Sequence, residues 1–173
     1  MDLKSKIRTV PHFPKQGIMF RDITTLLKDP KAFKYSIKKL KKYYKDKNVD
    51  VIAGPESRGF IFGAVLAHEL GVGFVPIRKP GKLPAETESQ EYELEYGTDK
   101  IEIHKDAITK GQNVLIIDDL LATGGTSEAA AKLVEKLGGK VAGLAYLIEL
   151  SFLKGREKLK NYDVYSLIDY KEE

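Results

Sequence analysis

The sequence predicts an α/β domain with a mainly parallel central sheet flanked by helices, and three observations lead there. Apolar runs at Val49–Ala53, Val72–Ile77, Val114–Ile117 and Lys140–Leu150 read as strands buried on both faces, as parallel strands are. Segments of helical period, from Asp29 to about Asp46, Phe60 to Leu70 and Glu128 to Leu137, lie between them, so strand and helix alternate. Two of the strand-to-helix junctions are tight and glycine-containing, which puts ligand sites at the carboxyl edge of the sheet. A chain of 173 residues fits one domain, 1–173, with room for a substantial core.

Bulk composition narrows the function classes. A 42% hydrophobic, 31% charged chain is ordinary for a globular protein. The formal net charge of +4 suits anionic ligands but does not by itself indicate a nucleic-acid partner. With no cysteine, disulfides, thiolate metal sites and cysteine nucleophiles are excluded. No signal-peptide pattern opens the chain and no apolar run is long enough to span a bilayer, so a cytoplasmic location and no membrane partner are expected.

The elements follow in order. Asp2 to Thr9 reads as a short helix stopped by Pro11, and Pro11 to Thr24 as an ordered apolar loop rather than a strand. Asp29-Pro30 opens a helix whose Phe33, Ile37, Leu40 and Tyr44 form one apolar stripe, with lysines on the solvated faces. The strand Val49–Ala53 leaves through the turn Gly54-Pro-Glu-Ser-Arg-Gly59 into the helix from Phe60. A helix N-terminus favours an anion, and Arg58 adds a planar multidentate donor suited to phosphate oxygens. After the third strand, Arg78, Lys79 and Lys82 cluster around a turn that suits a polyanion. Ala85 to Thr98 is acidic and without period, as in a lid or long hairpin, and Lys100–His104 alternates as a half-buried strand. Ala129, Ala130, Leu133, Val134 and Leu137 should face the sheet. Asp163 to Tyr170 reads as a last, antiparallel edge strand.

The stretch Val114 to Thr126 organises the rest. Four apolar residues lead to Asp118 and Asp119, expected at the strand's end, then to Thr123-Gly-Gly-Thr126 and a helix. Uncapped N–H groups, glycines that let backbone approach a phosphate, and threonine hydroxyls make an anion site. The adjacent acids are consistent with this only if the ligand also carries hydroxyls or a metal. A ribose 5-phosphate meets both needs. No lysine follows Gly125, which excludes a Walker A loop, and the third glycine of the dinucleotide fingerprint is absent.

This segment resembles the phosphoribosyl-pyrophosphate signature of type I phosphoribosyltransferases, and from about Phe13 to Leu159 the chain is similar to the adenine phosphoribosyltransferase family. The resemblance implies a type I phosphoribosyltransferase fold with an N-terminal hood over the base (about 10–25) and a mobile antiparallel flap (about 80–104). It implies transfer of a 5-phosphoribosyl group from phosphoribosyl pyrophosphate to N9 of adenine, giving AMP and pyrophosphate, in purine salvage. By the same carry-over, Phe20 stacks on adenine while backbone at Met19 and Arg21 reads its edge, and Leu150 forms the opposite wall. Arg58, Arg78, Lys79 and Lys82 meet pyrophosphate, though Pro80 stands where the family often has another cation. Asp118 and Asp119 hold the ribose, and Ala122, Thr123, Gly124, Gly125 and Thr126 hold the 5′-phosphate. Glu95 and Tyr96 match the distal end of the family's catalytic loop, Glu95 near the base and Tyr96 near the reacting centre. The resemblance further implies Mg²⁺ held mainly by phosphoribosyl pyrophosphate and water, a homodimer with Arg78 reaching across, and a non-proline cis peptide in the Gly54–Gly59 turn. It gives Gly155–Leu159 no chemical role.

Two alternatives stand beside this reading. One is the same transfer to another purine base, although 6-oxopurine pockets usually employ a lysine that the apolar hood does not offer. The other is a non-catalytic, nucleic-acid-binding sensor of phosphoribosyl pyrophosphate, supported only by the lysine-rich helix face.

Overall fold

In the computed structural model, residues 1–94 and 96–173 are described. The central sheet has five strands: β3 (Val51–Pro55), β4 (Gly73–Ile77), β7 (Asn113–Leu121), β8 (Lys140–Leu150) and β9 (Val164–Tyr170), in the order β4-β3-β7-β8-β9. Every neighbouring pair is parallel. The last strand is therefore not antiparallel as the sequence suggested. Residues 151–163 carry the chain back through two short 3-10 helices, Ser151–Leu153 and Gly155–Leu159, which serve as the crossover that a parallel neighbour requires.

Side-chain alternation splits the core in two. Ile52, Leu115, Ile117, Ala145 and Leu147 point to one face, where α1 (Thr24–Lys28), α2 (Pro30–Tyr44) and α3 (Arg58–Leu70) pack. Val51, Ala53, Val114, Ile116, Leu144 and Tyr146 point to the other, against α4 (Gly125–Lys136). The α2 stripe is as expected: Leu40, Ile37 and Tyr44 are buried and Phe33 half-buried. Each such side chain contributes about 1.5–3 kcal/mol on full burial. Asp29 caps α2 by accepting from the N–H groups of Lys31 (3.0 Å) and Ala32 (3.1 Å), and Pro30 occupies the first helical position. Ala129, Ala130, Leu133 and Val134 of α4 are buried and Leu137 half-buried.

Two antiparallel hairpins flank this core. The N-terminal one pairs β1 (Arg8–Pro11) with β2 (Met19–Asp22), so the expected helix over residues 2–9 shrinks to one 3-10 turn at Lys4–Lys6 and the expected loop contains a strand. The second pairs β5 (Thr87–Glu93) with β6 (Thr98–His104). It anchors through buried Ile101 and Ile103 in the α4-side core, and through backbone hydrogen bonds between Arg78 and Glu102 at 2.9 and 2.7 Å. Among the described residues no helix is long and apolar enough to cross a membrane.

Candidate active site

The strand order reverses between β3 and β7, where an open α/β sheet forms its ligand crevice. Pairing of β7 with β3 stops at Ile116, whereas its pairing with β8 continues to Leu121. Asp118 and Asp119 therefore lie inside strand β7, not at its end, but beyond its last contact with β3. There they face the Glu56–Arg58 turn. The Asp119 carboxylate is 5% exposed and accepts from Arg58 Nε at 2.5 Å. Asp118 Oδ1 accepts from the Asp119 N–H at 2.8 Å. Burial, then the adjoining Asp119 carboxylate, push the Asp118 carboxyl well above the usual carboxylate range, with Arg58 acting in the opposite direction.

Both helices that open onto this crevice lack a side-chain cap: α3 after Ser57 and α4 after Gly124. In contrast, α2, away from the crevice, is capped by Asp29. Uncapped N-termini present N–H donors and the positive end of the helix dipole. Helix α4 begins at Gly125, three residues before the predicted start, so Gly125 and Thr126 belong to its first turn and Ala122–Gly124 to the approach. Gly124 takes φ +86°, a backbone conformation that suits glycine. Buried Tyr146 supports that first turn by donating to Ser127 Oγ at 2.7 Å. On the other side of the crevice the Glu56–Ser57 peptide is cis, as the resemblance implied.

Two of the three cations after β4, with the backbone N–H of the third, converge on a residue that the sequence did not single out. Glu56 accepts from Lys82 Nζ at 2.8 Å and the Lys79 N–H at 2.7 Å, and lies 3.4 Å from Arg78 Nε. The Lys82 hydrogen bond leads in holding its carboxyl below the usual range. The Lys79 ammonium turns to the second hairpin, donating to Asp99 and to Tyr92 Oη, the latter at 3.0 Å. It ties that hairpin to the cation turn.

On the N-terminal hairpin, Phe20 packs edge-on against Phe13 at 5.1 Å and lies 5.9 Å from the Arg58 guanidinium. Met19 and Arg21 flank it on β2. The Arg21 side chain turns away, donating to Thr9 Oγ1 at 2.7 Å and stacking over Tyr170 at 4.1 Å. Leu150 is the last residue of β8, half-buried against the helix-covered core. The second hairpin lies across the start of α4, with a cavity of ≈ 300 Å³ between them lined by Tyr92, Glu93, Gly125 and Lys158 among others. Tyr96 stands at its tip, 88% exposed. Glu95 lies outside the described residues.

A further pair, Glu149 with Arg156, is not legible in the sequence. Glu149 is 4% exposed and takes a two-pronged ion pair from Arg156 at 2.6 and 2.7 Å. A lone Arg in a polar segment carries no signal of this. Only the buried acid ending an apolar strand could have prompted a search for its partner.

A profile of the "Phosphoribosyl transferase domain" family matches residues 22–172. A relative from Methanococcus maripaludis is 62% identical over 170 residues, covering 98% of this chain and 99% of its own length, and is named adenine phosphoribosyltransferase. The chain belongs to the adenine phosphoribosyltransferase family. A second relative of that name, from Caldanaerobacter subterraneus, is 64% identical with 98% of both chains covered. Among solved structures, the adenine phosphoribosyltransferase of Thermoanaerobacter pseudethanolicus superposes with a TM-score of 0.95 at 63% identity, covering 98% of each chain. That of Saccharomyces cerevisiae, solved with adenine and an imino-altritol bisphosphate, gives 0.90 at 46% identity, covering 95% and 96%. Like these family members, the chain is a transferase, on a type I phosphoribosyltransferase fold.

Proposed function

We infer that this chain transfers the 5-phosphoribosyl group from phosphoribosyl pyrophosphate to N9 of adenine, releasing AMP and pyrophosphate in purine salvage. One observation carries the reading at the site: two adjacent acids beyond the β3–β7 pairing, one locked to Arg58, immediately precede an uncapped glycine-rich helix start. That arrangement fits a ligand with hydroxyls at one end and a phosphate at the other.

Each residue then has a role. Backbone from Ala122 to Thr126 grips the 5′-phosphate, and Asp118 and Asp119 orient the ribose diol. As pyrophosphate leaves, C1′ gains oxocarbenium character, which the paired acids favour electrostatically. Arg58, Arg78, Lys79 and Lys82 offset the leaving group's charge. To meet it, Arg78 and Lys82 exchange Glu56 for phosphate oxygens. Phe20 stacks on the adenine face, the Met19 and Arg21 backbone reads its edge, and Leu150 closes the other side. No nucleophile requires activation, so position and charge carry the rate.

Among the described residues no three carboxylate or imidazole groups converge to hold a metal ion. This donor set fits magnesium carried on pyrophosphate oxygens and water, as that ion prefers. When bound it neutralises leaving-group charge. The second hairpin, fastened to the cation turn by Lys79, is the flap that excludes water, with Glu95 and Tyr96 brought over the base and C1′ as it closes. The working enzyme is a cytoplasmic homodimer.

Incubation with adenine, phosphoribosyl pyrophosphate and magnesium should yield AMP, with hypoxanthine and guanine as poor competitors. Efficient use of either 6-oxopurine would overturn the base assignment, and absence of AMP would overturn the reaction.

A further inference from the structure

The segment Gly155–Leu159 shows no chemistry in its residue types, yet the phosphate-binding loop rests on it. The inference below depends on the reading of residues 122–126 as the 5′-phosphate site. A Cβ placed on Gly124 would fall 2.6 Å from the Gly155 carbonyl oxygen, and one on Gly155 would fall 2.3 Å from the Ala122 carbonyl oxygen. Two backbones are thus in direct contact, with no space for a side chain between them. The next nearest atoms to Gly155 in that direction are Leu121 Cδ1 at 3.1 Å and the Ala122 carbonyl carbon at 3.2 Å.

Something must hold the Gly155 backbone there. Arg156 donates through Nε and Nη2 to the two oxygens of Glu149 at 2.6 and 2.7 Å, and through Nη1 to the Val164 carbonyl at 2.9 Å. Ser166 donates to Glu149 as well, at 2.6 Å. Glu149 sits in register with Leu121, the residue before the loop. At the far end of the segment, Leu159 is buried in the same core as α4. The segment is therefore fixed to β8, β9 and the α4-side core and touches the loop with its backbone.

We propose that Gly155 and Arg156 are positioning residues for the 5′-phosphate. Arg156, locked to Glu149, presses the Gly155 backbone against Ala122 and Gly124 and so sets the direction of the amides that grip phosphate. A displaced loop weakens the phosphate end of the ligand first. Gly155 meets the phosphate loop, whereas Glu149, the partner of Arg156, adjoins Leu150 of the base pocket, so Gly155→Ala is the variant that separates the two ends.

The test uses Gly155→Ala, Arg156→Ala and Arg156→Lys in the full chain, each checked by thermal melt. Calorimetry measures ribose 5-phosphate affinity, and steady-state kinetics give the two KM values. Gly155→Ala and Arg156→Ala should weaken ribose 5-phosphate, and raise KM for phosphoribosyl pyrophosphate, by about 10- to 100-fold. In Gly155→Ala, KM for adenine should stay within about twofold. Arg156→Lys, which keeps the charge but not the planar fork, should recover part of the affinity. Should the first two fail to fold, Arg156→Lys decides alone: a loss of ribose 5-phosphate affinity supports the brace. Unchanged affinity in every folded variant, or equal rises in both KM values of Gly155→Ala, would overturn it. A parent protein that binds ribose 5-phosphate yet makes no AMP would overturn the proposed reaction while leaving the brace to be judged on affinity.

Discussion

The β3–α3 and β7–α4 junctions are made of the same parts and finished differently. Each is a parallel strand, a tight turn and an uncapped helix start. At β7–α4 the grip is backbone: Gly124 in the left-handed region, Gly155 pressed on Ala122, and Tyr146 holding Ser127 from the core. At β3–α3 it is side chains: Arg58 on Asp119, and Glu56 drawing together Lys82, Arg78 and the Lys79 amide. A backbone cradle is rigid and suits the phosphate that stays on the product. Long cations held by an acid can exchange partners, which suits a group that arrives bound and leaves free. On the proposed roles, glycines bring backbone close at both turns, and the charged side chains standing in the first make its grip releasable.

The comparison can be broken most severely at the acids shared by both junctions. Asp118→Asn and Asp119→Asn should each lower kcat/KM by about 10²–10³-fold, the range found for losing a charge-stabilising group. Normal turnover in either, measured as AMP formation, would end its ribose assignment. Next come the glycines. Gly124→Ala meets both a left-handed φ and the Gly155 carbonyl, and should reduce kcat/KM for phosphoribosyl pyrophosphate about 10²-fold. Gly81→Ala, in the cation turn, has φ +78° but open space around it, so its cost should be limited to about 1–2 kcal/mol of stability. Equal kinetic losses would erase the distinction between the rigid and the releasable site. Phe20→Ala should raise KM for adenine about tenfold with KM for phosphoribosyl pyrophosphate little changed, since base stacking contributes about 1–3 kcal/mol.

The smallest effect has opposite signs at the two junctions. The Asp118 pKa is raised in the fold, so its ionisation destabilises the protein as pH climbs from the ordinary carboxylate range through the folded pKa. Asp118→Asn should therefore raise Tm at pH 7. The Glu56 pKa is lowered, so its stabilisation is full above the ordinary carboxylate pKa and is lost as pH falls through the folded one. Glu56→Gln should lower Tm at pH 7. Shifts of one sign in both variants, followed by calorimetry, would contradict the assigned electrostatics.

Much of this architecture was legible in the sequence because parallel strands, buried on both faces, show as unbroken apolar runs such as Val114–Ile117. The N-terminal hairpin was not. Its strands are exposed or half-buried, with no period to read. The direction of β9 was equally hidden, since its crossover runs through 3-10 turns rather than a periodic helix. At the site, the Asp118–Thr126 motif carried its chemistry in residue types and spacing. Glu56, Gly155 and Arg156 did not, because their importance arises from contacts with residues distant in the chain. Gly155 matters for the atoms it lets approach, which no local pattern records.

A crystal structure with AMP and pyrophosphate would show whether the β7–α4 cradle holds the phosphate that stays while Arg58 and the cations after β4 hold the one that leaves. The AMP phosphate should lie on the amides of residues 122–126, its ribose hydroxyls on Asp118 and Asp119, and pyrophosphate beside Arg58 and Lys82. An AMP phosphate seated at the start of α3, with the α4 loop free of it, would contradict that assignment.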